Sequence, residues 1–375
     1  MPSLNCTING NSHPYDIPII RRIWEDFAFY YNPSTQAVHL FTVNIEHIND
    51  LESFCKTLNV SHVKKGDTVI FLLQFEAWMF MIENLKNSIE KDFSNLIHDC
   101  EIVYSSEQLN YNDIKSTEKS INHVSLISQD NFFVRDLNFN PHIFHNYQLK
   151  DKLFLSYNRR HRTHRCQLVS KLVKNDLLND SLVSFLVNIP QENSTAEGTL
   201  KNDGSLTEEN LNDLLRYLPK NDLIIDPYEF NSWISQDQYK KTSKHHHRSM
   251  ISVVTETFWN EAEISFTEKI YRPLFFGHPF IVLAPSGFLK YLKKYGFKTF
   301  GNIIDESYDD ILNPQERLDA VISVMLNFKN LSEAERHTTW NGLNEVAIEN
   351  YEIYHSKKFA KQAGIFQLLK TKGLR

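Results

Sequence analysis

Residues 151–173, "DKLFLSYNRRHRTHRCQLVSKLV", decide how this chain folds. An apolar run over 151–158 is followed by a basic turn and then by a segment whose apolar residues recur at helical spacing. A strand that leads directly into a helix is the unit from which parallel sheets covered by helices are built. The stretch therefore predicts an α/β protein.

The same alternation continues on both sides of this stretch. Further strands are predicted over 37–45, 67–77, 100–106, 181–189, 249–257, 279–285 and 297–304, with helices between them. Polar loops are predicted over 190–210 and 244–249, and a long helical stretch over 332–370. Two alternating halves predict two Rossmann-like domains, 1–150 and 151–345, that face each other across a cleft. A C-terminal helical segment, 346–375, is expected to pack back on the first domain.

The composition is that of a soluble globular protein. Of the 375 residues, 41% are hydrophobic and 23% are charged. No run approaches the roughly 18 apolar residues of a membrane span. The first residues lack the basic start and apolar stretch of a secretory signal, so a cytoplasmic location is expected. A net charge of -6 argues mildly against nucleic acid as a partner.

Four arginines follow the strand predicted over 151–158. Asn158 ends the strand, and Arg159, Arg162 and Arg165 run into the first turns of the helix together with Arg160. A helix N-terminus is already positive, so arginines there are favourable when an anion supplies negative charge. The turn therefore predicts a phosphate site. A solvated basic turn, or arginines paired with acids of the other domain, is the alternative.

A second polar group follows the strand at 249–257. Glu256 comes at the end of that strand, and Thr267, Glu268 and Lys269 open the next predicted helix. A carboxylate in this place can accept hydrogen bonds from vicinal hydroxyls such as those of a ribose, and a lysine beside it can balance a pyrophosphate. The alternative is a helix cap with an ordinary surface ion pair.

Glu76 is the candidate general base. It lies at the end of the buried strand predicted over 67–77 and is expected to face the cleft. The alternative is a structural acid at a helix N-terminus.

Residues 264–285, "ISFTEKIYRPLFFGHPFIVLAP", resemble the donor-binding segment of the α-1,3-fucosyltransferases, with T-E-K, an apolar helix, a Gly and a strand that begins with Pro. Together with the basic turn and "GFKTFGNIIDESYDDI" (296–311), the region from 151 to 325 also resembles uncharacterised glycosyltransferase-like proteins of phages and bacteria. The resemblance implies the two-domain GT-B fold and a sugar nucleotide bound without metal. It assigns the donor ribose to Glu268, the pyrophosphate to Lys269, and the phosphates to Arg162 or Arg165.

The resulting hypothesis is an inverting, metal-independent glycosyltransferase. Its donor is a nucleotide-sugar, which is a co-substrate, so no cofactor is expected. The donor binds the second domain, and the first domain takes the acceptor, which is a glycan or another hydroxyl-bearing molecule; modified phage DNA is less favoured. A non-catalytic nucleotide- or polyanion-binding protein is the alternative. The acidic stretch 305–310 is interpreted as a closing segment, or as acids that pair with the arginines, rather than as a metal site.

Overall fold

The computed structural model describes residues 5–7, 38–43, 63–73, 79–92, 100–106, 123–125, 146–225, 236–260 and 262–356. The chain divides into two compact units. One comprises 1–131, 262–266 and 357–375, and the other comprises 132–261 and 267–356. The domain boundaries near 150 and 345 stay predictions.

The first unit contains a parallel five-stranded sheet whose strands follow chain order. The strands are β1 (Asn5–Thr7), β2 (Val38–Val43), β3 (Thr68–Leu73), β4 (Glu101–Ser106) and β5 (His123–Ser125). Helix α1 (Met79–Asp92) connects β3 to β4. It buries Ile82, Leu85 and Ile89, which share one face at helical spacing.

The second unit contains a parallel four-stranded sheet and a short hairpin. The sheet strands are β6 (Lys152–Asn158), β7 (Ser181–Phe185), β10 (Ser249–Thr255) and β11 (Phe280–Leu283), and the hairpin strands are β8 (Asn188–Ile189) and β9 (Ser194–Thr195). The order across the sheet is β11-β10-β6-β7, as in a doubly wound fold. Every residue of β10 and β11 is buried, because helices cover both faces of a parallel sheet. The predicted α/β class is confirmed.

Eight helices are described in the second unit. They are α2 (Thr163–Lys174), α3 (Ala196–Lys201), α4 (Glu208–Tyr217), α5 (Gln236–Arg248), α6 (Glu268–Phe276), α7 (Phe288–Lys294), α8 (Pro314–Asn330) and α9 (Glu333–His355). Their starts follow the sequence: Asn313 caps α8 through its side chain, and Ser332 and Glu335 form a capping box before α9. None of the helices in the described ranges has the length and apolar character of a membrane span.

The strand predicted over 297–304 is wrong, since 297–300 have no regular structure and 301–303 form a turn. Side chains take the backbone groups that a neighbouring strand would need. Lys298 exchanges two backbone hydrogen bonds with the Asn350 side chain, at 2.7 and 3.0 Å, and the Phe300 N–H donates to the Glu306 carboxylate at 2.6 Å. Local β-propensity is overridden by these longer-range partners.

Two predicted loops contain regular structure. Helix α5 continues through 244–248, where His245 and His246 are buried and the Ser249 hydroxyl donates to the His245 carbonyl at 2.8 Å. The polar stretch 190–210 includes β9 and α3, which Thr195 caps by accepting the Gly198 N–H at 2.9 Å. Burial of one side of each segment outweighs its polar composition.

The acidic stretch 305–310 binds backbone groups of its own neighbourhood. Asp305 accepts the Ser307 N–H at 2.9 Å, and Glu306 accepts the Phe300 N–H. Within the described ranges neither carboxylate pairs with an arginine, so that interpretation is wrong. Asp309 is buried and accepts the Leu289 N–H at 3.0 and 3.1 Å from its two oxygens. Burial, reinforced by the charges of Asp310 and Glu306, raises the pKa of Asp309 from 3.8 to about 6.

Asp309 is expected to make stability fall as pH rises from about 4 to about 6. In that window the folded protein retains a proton that the unfolded chain has lost, so raising the pH favours unfolding. The free energy of unfolding of the wild type relative to Asp309→Asn should drop by about 1 to 3 kcal/mol across the window. Urea denaturation at several pH values measures this difference. A difference that stays constant or grows with pH contradicts the raised pKa.

Candidate functional site

The predicted site lies at a topological switch point of the second sheet. The chain leaves β6 for α2 and β7 on one side, whereas β10 and β11 lie on the other. The connections after β6 and β10 therefore diverge, and in open α/β sheets ligands bind at such a point, at the carboxyl ends of the strands. Residues 158–165 follow or end β6, and Glu256 directly follows β10, so the fold brings these two predicted groups to one edge.

Asn158 ties β6 to β10 beneath this edge. It is completely buried; its Oδ1 accepts the Thr255 hydroxyl at 3.0 Å, and its Nδ2 donates to the Ser156 hydroxyl at 3.0 Å. The Ser156 hydroxyl in turn donates to the Val253 carbonyl at 3.1 Å. The Asn158 side chain therefore aligns the ends of the two strands.

Arg165 and His164 join the start of α2 to the end of β10. Nη2 of Arg165 donates to the carbonyls of Thr255 at 3.1 Å and Glu256 at 3.3 Å, while Nη1 donates to the Arg160 carbonyl at 3.2 Å. Nε2 of His164 lies 2.8 Å from the same Glu256 carbonyl and donates to it. Arg165 is 4% exposed. It is a fixed positive charge under the site.

The positive charges of three side chains act on His164. Burial lowers the pKa of His164 well below its usual value, and the positive charges of Arg165, Arg162 and Lys269 lower it further. A neutral imidazole is therefore the stable form here, and its ring stacks on Trp259 with centroids 5.3 Å apart. Arg165 and Lys269 both bind residues at or just after the end of β10, and the charge of Arg162 acts on the same His164.

Glu256 and Thr267 cap α6 together. The Glu256 carboxylate accepts the hydroxyl of Thr267 through Oε2 and the N–H of Ile270 through Oε1, the latter at 3.2 Å. The Thr267 hydroxyl also accepts the Lys269 N–H at 3.2 Å. Both side chains are buried. They hold the first turn of α6, which carries Glu268 and Lys269, against the end of β10.

Glu268 and Lys269 form an ion pair at the surface of the site. Nζ of Lys269 lies 2.7 Å from Oε1 of Glu268, and the two side chains are 21% and 22% exposed. Nζ also donates to the hydroxyls of Thr257 at 3.1 Å and Thr267 at 3.2 Å. Burial alone would raise the pKa of Glu268, but the charges of Lys269 and Arg165 and the bond to Lys269 outweigh it and lower the pKa.

The arginines of the turn have different surroundings. Arg159, Arg160 and Arg162 are exposed, and Arg160 pairs with Glu192 through Nε at 3.1 Å. His161 anchors the turn, because its ring nitrogens lie 2.6 Å from the Leu186 carbonyl and 2.8 Å from the Ser194 hydroxyl. In the described ranges the Arg162 side chain makes no hydrogen bond or ion pair. The turn is thus held in place while Arg162 remains accessible to an anion.

Two residues that support the site were not identified from the sequence. Thr257 binds Lys269, and its signal is a hydroxyl placed two residues beyond the end of β10. Arg317, which is 2% exposed, reaches back from α8 to the Trp259 carbonyl and also donates to the carbonyls of Ile311 and Leu312. Nothing in the local sequence of α8 indicates this contact, since it joins residues 58 positions apart.

Charge and metal ligands complete the description of the site. The four predicted cations, Arg159, Arg162, Arg165 and Lys269, outnumber the two predicted carboxylates, Glu256 and Glu268, by two. Among the residues that the structure describes, no group of three or more His, Cys, Asp or Glu side chains is arranged to hold a metal ion. Glu76, the predicted general base, lies outside the described residues.

No protein-family model matches the chain, and no curated protein matches it either. Among solved structures, the chain is similar to the DNA-modifying enzyme β-glucosyltransferase, crystallised in the presence and absence of its substrate uridine diphosphoglucose. The identity is 11% over 90% of this chain and 81% of that chain, with a TM-score of 0.36. It is also similar to the trehalose-6-phosphate synthase OtsA, at 11% identity over 86% of this chain and 72% of that chain, with a TM-score of 0.37.

Proposed function

We propose that the protein is a glycosyltransferase that uses a nucleotide-sugar donor. The observation that supports this best is the placement of Arg165 and Lys269 against residues 255–257 at the end of β10, with Arg162 close enough for its charge to act on His164 as theirs do. A diphosphate supplies the negative charge that such a cluster lacks. The switch point of a parallel sheet is also where ligands bind in this class of fold.

The predicted residues have three kinds of role: contact with the donor, a buried positive charge, and positioning. Lys269, Arg162 and Arg159 contact the diphosphate, and Glu268 accepts hydrogen bonds from the ribose hydroxyls. Arg165 contributes its charge from below, since its guanidinium already binds three backbone carbonyls. Asn158, Glu256 and Thr267 act as positioning residues because their side chains bind strands and helix termini.

This arrangement suits the chemistry of sugar transfer. When the glycosidic bond of the donor breaks, negative charge grows on the departing diphosphate. Fixed cations aimed at that charge stabilise the transition state. We propose an inverting, metal-independent reaction in which Lys269 and Arg162 perform this role. A carboxylate of the first domain, for which Glu76 is the candidate, would remove the proton from the acceptor hydroxyl.

The acceptor and location complete the proposal. The acceptor is a glycan or another molecule with a nucleophilic hydroxyl. Modified phage DNA is less favoured because the net charge of -6 repels a polyanion. A cytoplasmic location and a relationship to fucosyltransferases remain parts of the hypothesis, as does the GT-B arrangement of two domains.

A thermal-shift panel of nucleoside diphosphates tests the donor site. We expect the nucleoside diphosphate of one particular base to raise the unfolding temperature of the protein. A ligand at about 100 times its Kd adds about 2.7 kcal/mol to the stability of the folded state. The sugar nucleotides of that base are then tested for hydrolysis and for transfer to a set of acceptors. Turnover supports the glycosyltransferase. Binding without hydrolysis or transfer favours a non-catalytic nucleotide-binding protein, and the absence of any stabilisation contradicts the donor site.

A further inference from the structure

Lys269 is already saturated with hydrogen bonds in the ligand-free protein. An ammonium group has three N–H donors and no acceptor. The three acceptors around Nζ are Oε1 of Glu268 at 2.7 Å and the hydroxyls of Thr257 and Thr267 at 3.1 and 3.2 Å. An anion can therefore bind Lys269 closely only if one of these acceptors leaves.

Thr267 is the acceptor least able to leave. Its hydroxyl donates to Glu256 and accepts from both the backbone N–H and Nζ of Lys269, which uses its one proton and both lone pairs. Its side chain is 4% exposed and caps α6. Glu268, in contrast, is 22% exposed and lies in the first turn of the helix. Of the three acceptors, Glu268 alone is charged, and a phosphate repels a carboxylate but not a hydroxyl, so the bond that yields to an incoming anion is the ion pair with Glu268.

We propose that Glu268 is a specificity-determining residue that competes with anions for Lys269. When the donor binds, the Lys269 ammonium exchanges the Glu268 carboxylate for a phosphate oxygen. The carboxylate, which is then without its cation, accepts hydrogen bonds from hydroxyls of the same ligand. This inference rests on the proposed function and adds that the site selects ligands in which a diphosphate and vicinal hydroxyls are joined.

The selectivity follows from what each ligand leaves behind. Inorganic phosphate or pyrophosphate takes Lys269 but leaves Glu268 as a half-buried carboxylate with no replacement partner, which is costly. A nucleoside diphosphate offers ribose hydroxyls to the same carboxylate and so replaces the lost bond. The ion pair thus weakens the binding of small anions. A nucleoside diphosphate still binds because it supplies a phosphate for Lys269 and hydroxyls for Glu268.

Binding of inorganic pyrophosphate to Glu268→Gln tests the competition. The neutral amide holds Lys269 more weakly, so the variant should bind pyrophosphate about 3- to 10-fold more tightly than the wild type at fixed ionic strength. Asp180→Asn is the matched control. Asp180 pairs with Lys329 at 3.0 Å beside the amino ends of β6 and β7, and its loss changes the net charge equally at the opposite edge of the sheet. Pyrophosphate affinity of Glu268→Gln that is unchanged or weaker contradicts the exchange.

A double-mutant cycle separates the exchange from simple repulsion between Glu268 and the anion. If Glu268 acts by occupying Lys269, Glu268→Gln should not increase the affinity for pyrophosphate in a protein that already carries Lys269→Met. A gain that persists there shows that the carboxylate merely repels pyrophosphate, and the exchange is overturned. Thermal unfolding of all four proteins checks that they are folded.

Removal of the ribose hydroxyls from the ligand tests their proposed hydrogen bonds to Glu268. In the wild type, the nucleoside diphosphate selected by the panel should bind about 10-fold more tightly than its 2′,3′-dideoxy analogue, because the freed carboxylate binds the hydroxyls. In Glu268→Gln this preference should shrink to about 2-fold. An equal preference in both proteins contradicts the role of Glu268. If no nucleoside diphosphate binds the wild type, the proposed function itself fails; if it binds but the cycle shows no coupling, only the exchange fails.

Discussion

Lys269→Met is expected to weaken binding of the nucleoside diphosphate by about 10- to 100-fold, the largest loss at the site. Hydrogen bonds to charged groups contribute about 1.5 to 3 kcal/mol, and about 1.4 kcal/mol corresponds to a tenfold change in Kd. Methionine keeps the unbranched apolar stem and removes only the ammonium group. The change also leaves Glu268 without its cation, so its carboxylate adds repulsion to the lost attraction.

The matched control is Lys329→Met. Lys329 is 25% exposed, close to the 21% of Lys269, and also pairs with a carboxylate, but beside the amino ends of β6 and β7. Isothermal titration of both variants with the same ligand separates loss of a specific contact from loss of one positive charge. Affinity of Lys269→Met within about twofold of the wild type would exclude Lys269 from the phosphate site.

Gly277→Ala is expected to cost about 3 kcal/mol of folding free energy. Gly277 ends α6 with φ 57°, a left-handed conformation that costs other residues about 1 to 2 kcal/mol. Its N–H donates to the Leu274 carbonyl and the N–H of His278 to the Pro273 carbonyl, which is the Schellman arrangement. A Cβ here would lie 3.0 Å from Cβ of Tyr351 and 3.4 Å from the Ala347 carbonyl oxygen, both on α9, and such overpacking adds about 1 to 3 kcal/mol.

Gly287→Ala separates the two causes. Gly287 has φ 82°, but a Cβ built there meets no described atom within 4 Å. It therefore carries the conformational cost alone, about 1 to 2 kcal/mol. Urea denaturation of both variants gives the free energies of unfolding. Equal losses of free energy of unfolding in the two variants would contradict the prediction. They would show that α9 moves to accommodate the added methyl group at no cost in stability.

Local pattern was sufficient for most elements near the site. The predicted strands at 151–158 and 279–285 match β6 and β11 to within two residues. The helix predicted to open at Thr267–Lys269 begins at Glu268, and Thr267 caps it, as the alternative interpretation had it. Such features depend on apolar periodicity and on capping side chains a few residues away, both of which can be read from a short window. The predicted strand over 297–304 failed because Asn350, about 50 positions later, binds its backbone.

The α/β class, the two charged stretches and their positions at strand ends could all be predicted from local sequence. What each polar side chain does there depends on residues that are distant in the chain. Asn158 accepts a hydrogen bond from Thr255, 97 positions away, and Arg165 donates to carbonyls 90 and 91 positions away. Lys269 donates to Thr257 as well as to its neighbour Glu268. A side chain has few donors and acceptors, so its role depends on which are already used, and long-range packing determines that.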